Sequence, residues 1–263
     1  MKLSTLSYNL APLFLLGSAQ ECPPPGIDTV DNFDLGQFIA ARWYVHEQTV
    51  TVNTPIENLY CSYAEYAMRP QPSVPSGYTV DVTNYAQDSS GNEFVTGRSP
   101  QPDLCADQEE TGGTDASKLV VAPCFLPKEA AGPYWVVYYD EANGVAVVSG
   151  GSPDVNGASD TCKTMNAMGD SGLWIFLRSA NREEDKIEGA KAFLRTWNYD
   201  LSILNLVDQT DCVYDDTPAE GNTCEDGTDK LSFFWSTYTC DALPWFGCWL
   251  WAEECPKTCH VCE

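Results

Sequence analysis

Twelve cysteines restrict what this 263-residue chain can fold into more than any other feature. An even cysteine number, at about twice the usual frequency, is typical of disulfide-bonded proteins of oxidising compartments. Residues 213–223 are polar and contain Pro and Gly, which is a linker composition. They separate two even sets, so we predict two separately bridged domains, residues 20–212 and 224–263. The sets are Cys22, Cys61, Cys105, Cys124, Cys162 and Cys212, then Cys224, Cys240, Cys248, Cys255, Cys259 and Cys262.

Residues 1–19 have the layout of a secretory signal peptide. Met1 and Lys2 form a short basic start, residues 10–16 are an apolar run, and residues 17–19 are small. The run is shorter than the about 20 apolar residues that span a bilayer. The sequence therefore predicts cleavage after Ala19 and a secreted, extracellular protein.

The balance of charge excludes one class of partner. The chain has 38 acidic and 14 basic residues, a formal net charge of −24, and 43% hydrophobic residues. Nucleic acids are polyanions and would be repelled by such a surface. We expect a globular protein with a sizeable core and no nucleic-acid partner.

Most of the first domain is predicted to form short β-strands. Asn143 and Gly144 are a strong tight-hairpin signal between two of these strands. The acidic, turn-rich segment 99–117 is predicted to be a long loop. Many short antiparallel strands favour a closed barrel, and a sandwich fits almost as well. The predicted strands are 43–52, 59–68, 78–85, 93–97, 119–122, 134–139, 145–149, 173–178 and 201–207.

One segment, residues 182–197, has helical periodicity instead. Ile187, Ala190, Leu194 and Trp197 recur at spacings of three and four residues, which makes one apolar helical face. Asn181 is the predicted N-cap. We expect a helix that packs on the sheet with a charged outer face.

Several separated blocks of the first domain occur in a characteristic order and spacing. The blocks are 22–24 (CPP), 32–34 (NFD), 41–44 (ARWY), 58–66 (NLYCSYAEY), 133–141 (PYWVVYYDE), 174–178 (WIFLR) and 207–212 (VDQTDC). Together they resemble the lipocalin family, closest to its apolipoprotein D branch. Ala41 departs from the family's signature glycine, and Tyr139 and Glu141 depart from its turn. The resemblance implies an all-β fold: an eight-stranded antiparallel up-and-down barrel with one C-terminal packing helix.

The resemblance also implies structural roles for three residues. Trp43 would plug the closed end of the barrel, and Arg178 would lie over its ring and hydrogen-bond to nearby carbonyls. Asp140 would occupy the family's turn. The implied disulfides are Cys61–Cys212 and Cys22–Cys162, which leaves Cys105 and Cys124 to pair with each other.

A barrel closed at one end and open at the other would hold a small apolar molecule. Tyr66, Tyr134 and Trp174 match the family's pocket wall. Phe94, Val136 and Tyr138 are further candidates on strand alternation. The alternative for each of the six is plain core packing.

The tail has the cysteine pattern of a second small domain. Residues 224–226 (CED) and 255–262 (CPKTCHVC) resemble the opening and ending of a ShK toxin-type (ShKT) domain. The resemblance implies an internal ion pair between Asp226 and Lys257. It also implies the disulfides Cys224–Cys262, Cys240–Cys255 and Cys248–Cys259, one of fifteen possible connectivities.

The tail's composition indicates what this domain would contact. Residues 249–254 hold no lysine, so block of a potassium channel is disfavoured. Seven phenylalanine and tryptophan residues exceed what a small domain buries alone, so we predict an apolar patch for a protein or membrane-surface partner, or docking onto the barrel. Zinc ligation by Cys255, Cys259, His260 and Cys262 is a disfavoured alternative because disulfides suit the compartment. No metal or cofactor is expected. These phenylalanine and tryptophan residues are Phe233, Phe234, Trp235, Trp245, Phe246, Trp249 and Trp251.

The leading functional hypothesis is a secreted carrier for a lipid, sterol, retinoid or pigment. A xanthophyll de-epoxidase-like enzyme is the second hypothesis, but the chain has only two histidines for acid–base chemistry. One of them, His46, is predicted to be a solvated side chain and not a catalyst, and no catalytic residue is assigned. An extracellular adhesion protein with an inert barrel is the third hypothesis.

Overall fold

The computed structural model describes residues 21–72, 76–98, 101–109, 115–165 and 172–214, and the backbone of residues 231–233 and 236–238. The signal peptide, residues 215–223 of the linker, and the tail's six cysteines, Asp226 and Lys257 lie outside the described residues. The domain boundaries and the ShKT-like disulfides therefore stay predictions.

Fourteen strands are present in the described residues. They are β1 (Trp43–Thr49), β2 (Tyr60–Met68), β3 (Val80–Gln87), β4 (Glu93–Val95), β5 (Leu104–Gln108), β6 (Lys118–Pro123), β7 (Gly132–Asp140), β8 (Val145–Ser149), β9 (Val155–Asn156), β10 (Cys162–Lys163), β11 (Leu173–Leu177), β12 (Leu204–Leu206), β13 (Leu231–Phe233) and β14 (Ser236–Tyr238).

Eight antiparallel strand positions close into a barrel, in the order β1, β2, β3, β5, β6, β7, β8 and β11. The ring closes because β11 pairs with β1, where Tyr44 lies opposite Leu177 and Gln48 opposite Trp174. Strand β4 pairs with the end of β3, and β12 pairs with β1. The predicted fold class is confirmed, and the closed ring decides for the barrel over the sandwich.

Strand β5 is absent from the sequence prediction, which places a loop over residues 99–117. Its sequence, LCADQ, contains residues of weak β-propensity. The strand forms because it pairs on both sides, with β3 and with β6. Leu104 and Ala106 join the inner core, and Cys105 forms a disulfide. Pairing with β3 and β6 therefore outweighs the weak β-propensity of this segment, and without β5 the ring of strands would not close.

Strand alternation divides the core into two layers. In β8, Ala146 and Val148 face the interior of the barrel, whereas Val145 and Val147 face outward. All four residues are buried, so β8 is covered on both faces. The inner layer holds the candidate site, and the outer layer attaches the helix.

Helix α2 (Glu184–Thr196) packs on this outer layer with Ile187, Ala190 and Leu194 fully buried. The predicted packing face is confirmed by this contact. The predicted N-cap is wrong, because the helix begins two residues later than predicted and Glu183 occupies the cap position without a side-chain hydrogen bond. The backbone N–H of Asn181 instead donates to Ser179 Oγ in the preceding turn.

The remaining helices are short. Helix α1 (Leu35–Ile39) crosses the closed end of the barrel, and its N-terminus is capped because Gln37 N–H donates to Asp34 Oδ1 at 3.1 Å. Within the described ranges four 3-10 turns also occur, at Ile56–Asn58, Lys128–Ala130, Ala158–Asp160 and Leu201–Ile203.

Disulfides Cys22–Cys162, Cys61–Cys212 and Cys105–Cys124 join distant parts of the barrel domain. The first two are the pairs that the resemblance implies, and the third is the pair predicted from the two cysteines left over. The described part of the chain has no free cysteine. None of its helices combines the length and apolar character needed to cross a membrane.

Candidate ligand-binding site

Aromatic rings close one end of the barrel. We call Phe33, Phe38, Trp43, Tyr139 and Phe176 the floor. Phe38 and Trp43 have no exposed surface, and their ring centroids lie 5.4 Å apart. Trp43 Nε1–H donates to the carbonyl of Phe38 at 2.8 Å, so the indole is satisfied where it is buried. The floor is a packed plug that excludes water.

Arg178 stacks against Trp43 and binds the chain that crosses the closed end. Its guanidinium carbon lies 3.5 Å from the centroid of the Trp43 ring. Its Nη2 donates to the carbonyls of Gln37 at 2.9 Å and Phe38 at 3.0 Å, and Nη1 donates to Ala41 O. One side chain therefore fastens helix α1 to the floor.

The turn between β7 and β8 makes room for Arg178. Gly144 has a φ of +63°, and a Cβ atom at this position would lie 3.0 Å from the Arg178 side chain. Asp140 stabilises the turn because its carboxylate accepts from the backbone N–H of Asn143 at 3.0 Å and from its side-chain amide at 2.7 Å. The loop spans residues 141–144, longer than the two-residue hairpin that the Asn-Gly pair predicts.

Three further rings lie next to the floor on the inner face. We call Tyr66, Tyr134 and Trp174 the tyrosine layer. Tyr66 is 5.6 Å from Phe38 between ring centroids, and Tyr134 is 6.1 Å from Trp174. The hydroxyls of Tyr66 and Tyr134 share a hydrogen bond of 2.5 Å across the barrel. The three residues matched to the family's pocket wall therefore lie together.

The tyrosine layer keeps solvent-accessible surface although its rings point into a closed barrel. Tyr66, Tyr134 and Trp174 pack on the inner core but are only partly buried. The tyrosine layer is therefore less completely buried than Phe38 and Trp43 of the floor.

The two tyrosine hydroxyls stay neutral at ordinary pH. Burial raises the pKa of Tyr66 and raises that of Tyr134 well above its ordinary value, since an anionic phenolate would lose its hydration. The pair consequently offers neutral hydroxyl groups within an apolar wall.

Gly172 shapes the edge of the tyrosine layer. It has a φ of +91°, and a Cβ atom here would lie 2.2 Å from the tip of the Trp174 ring. Only glycine leaves space for the indole in this position, so the backbone at residue 172 determines where Trp174 lies.

Of the other three predicted site residues, Val136 lies on the same inner face two residues from Tyr134, whereas Phe94 and Tyr138 do not join the layer. Val136 is fully buried in the inner core, and Phe94 is partly buried in β4 opposite Ala86. Tyr138 instead points outward, 5.0 Å from Phe193 of helix α2 between ring centroids. The pairing register of β7 shifts between Val136 and Tyr138, which is a β-bulge. Strand alternation assigns Tyr138 to the interior wrongly because the bulge reverses the alternation.

A second β-bulge, in β1, places on the inner face a residue that sequence analysis missed. The register of β1 shifts between Val45 and Glu47, so Glu47 turns outward and Gln48 turns inward, opposite Trp174. Gln48 is 2% exposed, and its Nε2 atom has no hydrogen-bond partner among the described residues. If side chains alternated regularly between the two faces from Trp43 onward, Gln48 would point out of the barrel. No local sequence signal marks the extra residue that the bulge inserts.

His46, at this second bulge, is fully buried and not solvated as predicted. Its Nε2–H donates to the carbonyl of Ser179 at 2.9 Å, because a carbonyl oxygen can only accept. Burial lowers its pKa. The position is outside the inner face, because the bulge turns this part of β1 toward the segment that precedes helix α2.

One cluster has the residue types of a metal site, namely Asp81, Cys105 and Cys124. The two cysteines form a disulfide, and Asp81 pairs with Arg69. A disulfide sulfur is not a thiolate ligand, so this cluster does not fit a metal ion.

No protein-family model matches the sequence. Similar solved structures include the major allergen Per a 4 from cockroaches, with 14% identity over 72% of this chain and 95% of the other, and a TM-score of 0.45. Insecticyanin from the tobacco hornworm Manduca sexta has 18% identity over 70% and 85%, with a TM-score of 0.45. Lipocalin 12 from rat epididymis has 13% identity over 76% and 97%, with a TM-score of 0.46. Likenesses at this level leave the function open.

Proposed function

We propose that this protein is a secreted carrier that holds a small hydrophobic ligand, such as a lipid, sterol, retinoid or pigment, inside the barrel. The observation that carries the proposal is the tyrosine layer, a group of partly buried aromatic side chains on the inner face next to a sealed floor. An apolar wall with a few fixed polar groups is the usual lining of a small-molecule site.

Secretion is supported by the disulfides of the barrel domain. Three are present and the described residues have no free thiol, as expected for an oxidising compartment. The N-terminal pattern of residues 1–19 agrees with export.

Binding is favoured over catalysis by where the barrel places its acidic side chains. Glu47 is outside, 2.6 Å from Arg182 and 2.7 Å from Lys191 of helix α2. Glu65 is 2.7 Å from Arg42 on the outer face. Acid–base chemistry on a ligand would need such carboxylates on the inner face.

Titration of the purified protein with retinol and with a fluorescent fatty acid tests the carrier role. We expect saturable binding that quenches tryptophan emission, because Trp174 lies in the tyrosine layer. Trp174→Phe should reduce the quenching, whereas Trp135→Phe, which changes an outward-facing ring, should preserve it. Absence of binding across a broad apolar panel by the folded protein would contradict the carrier role.

We further propose that the ShKT-like tail attaches the carrier to a protein or membrane-surface partner. Its aromatic content supports this role. Removal of residues 224–263 should abolish attachment to the partner while ligand binding by the barrel persists. Loss of ligand binding on removal of the tail would instead indicate that the tail contributes to the ligand site.

A further inference from the structure

His46 fixes the connection between β11 and helix α2, residues 179–183, to the outside of the barrel. Its imidazole has no exposed surface, and its Nε2–H donates to the carbonyl of Ser179 at 2.9 Å. Arg182 Nη1 in turn donates to the backbone carbonyl of His46 at 3.2 Å. One residue of β1 therefore binds the connection near both of its ends, just before α2 begins.

The second ring nitrogen of His46 faces no hydrogen-bond acceptor. Nδ1 is buried without a partner among the described residues, and in the neutral ring it carries a lone pair and no hydrogen. A second proton on the ring would turn Nδ1 into a donor. That N–H would be buried without an acceptor, and the ring would carry a positive charge out of reach of water. The packing around His46 therefore favours imidazole over imidazolium.

The carboxylates near His46 are already paired with basic side chains. One is on β1, and two are where the connection enters α2. Strands β11 and β12, which pair with β1, contribute no charged side chain. A charged imidazole would thus add an uncompensated positive charge beside Arg182, and burial together with this cation lowers the pKa of His46. The ion pairs are Glu47–Arg182 at 2.6 Å, Glu47–Lys191 at 2.7 Å, Glu183–Lys186 at 2.8 Å and Glu184–Arg182 at 2.5 Å.

We infer that His46 is an acid-sensitive latch, which holds residues 179–183 and the start of helix α2 on the barrel at neutral pH and releases them when the ring takes up a proton. The step adds one solvent proton to Nδ1 and removes the imidazole from its enclosed position. It needs neither a ligand nor a partner, so the inference is independent of the proposed carrier function. Such a latch responds to transfer of the protein from a neutral to an acidic compartment.

The buried neutral ring makes stability depend on pH in one direction. Because folding lowers the pKa of His46, the unfolded chain binds more protons below the ordinary value of about 6.5. The stabilisation is fully present above this pH and is lost as pH falls toward the pKa of the folded state. This one group lowers the folding equilibrium constant by up to about tenfold per pH unit.

Denaturant titration of the full-length protein between pH 7.5 and 4.5 tests the latch with two matched variants. His46→Gln keeps an N–H for the Ser179 carbonyl but cannot be protonated, and His260→Gln makes the same change at the chain's only other histidine. Below about pH 6.5, the wild type and His260→Gln should lose stability more steeply than His46→Gln, by up to about tenfold in the folding equilibrium constant per pH unit. The carboxylates are the same in all three proteins.

Two measurements on the wild type need no variant, so the test survives if His46→Gln does not fold. In a proton NMR titration, one of the two imidazole signals should ionise below the ordinary pKa of about 6.5. Backbone hydrogen exchange, corrected for its intrinsic pH dependence, should show a local loss of protection at acid pH. Lys186 and Ile187, whose N–H groups donate to the carbonyl of Glu183 at 3.1 Å, should lose protection before β3 does.

Three outcomes overturn the inference. Parallel stability curves for the wild type and His46→Gln would mean that the ring does not titrate against the fold. Ionisation of both histidines at the ordinary pKa, with Lys186 and Ile187 still protected, would mean that His46 is charged in place. Simultaneous loss of protection in β3 and α2 would mean that acid unfolds the whole barrel and releases no local segment.

Discussion

The floor and the tyrosine layer are built from the same kind of side chain, yet they differ in what their polar atoms bond to. In the floor, the Trp43 indole N–H has its acceptor, and Arg178 donates to several backbone carbonyls. In the tyrosine layer, the hydroxyls of Tyr66 and Tyr134 share a hydrogen bond. The polar atoms of the floor therefore bind the backbone at the closed end, whereas the hydroxyls of the tyrosine layer bind each other.

Trp43→Ala should have the largest effect, because it removes a fully buried ring from the middle of the floor. We expect the free energy of unfolding to fall by about 3–5 kcal/mol, the usual range for large aromatic truncations. Denaturant titration at neutral pH measures this. Trp43→Phe, which keeps a ring, should cost clearly less. A loss under 1 kcal/mol would mean that the floor is not a packed plug.

Arg178→Met should destabilise the floor by about 2 kcal/mol, since it removes charged hydrogen bonds to carbonyls at the closed end. Arg178→Lys should recover little, because an ammonium group cannot stack flat on Trp43 and reach several carbonyls together. Both variants should retain ligand affinity in the fraction that folds. Full recovery of stability by lysine would show that charge alone matters here.

Gly172→Ala tests whether the tyrosine layer depends on the backbone beneath it. We expect a stability loss of about 1–2 kcal/mol from the positive φ, together with weaker ligand binding because Trp174 is displaced. Gly91→Ala is the matched control, since Gly91 has a similar φ of +81° but open space around it. Should both variants bind ligand like the wild type, Trp174 would not form part of the site.

The barrel itself was predictable because strand alternation and the characteristic sequence blocks remain visible although single strands contain bulges. Inner positions such as Val80 and Val82 alternate with outer ones, and the rings of Trp43 and Trp174 stand in recognisable blocks. Strand β5 was not predictable from composition, because Leu104 and Ala106 become strand residues only through pairing with their neighbours.

The candidate site was predicted in part, and the errors at Tyr138 and Gln48 have one physical cause. Tyr66, Tyr134 and Trp174 lie on regular stretches and come together, whereas Tyr138 and Gln48 follow β-bulges that exchange the two faces. A bulge adds one residue without a sequence signature, so each face assignment beyond it is inverted. The same inversion places Glu47 under helix α2, where it pairs with Lys191.

The smallest expected effect concerns the tyrosine hydroxyls at high pH. Tyr66→Phe should cost about 1 kcal/mol at pH 7, the net value of one hydrogen bond. Because folding raises the pKa of Tyr66 above the ordinary value of about 10, the folded state resists ionisation, and stability is lost as pH rises above about 10. Tyr66→Phe lacks this group, so its stability should fall less steeply between pH 9 and 11 than that of the wild type. Parallel curves from denaturant titration across this interval would show that the Tyr66 hydroxyl is hydrated and not enclosed by the tyrosine layer.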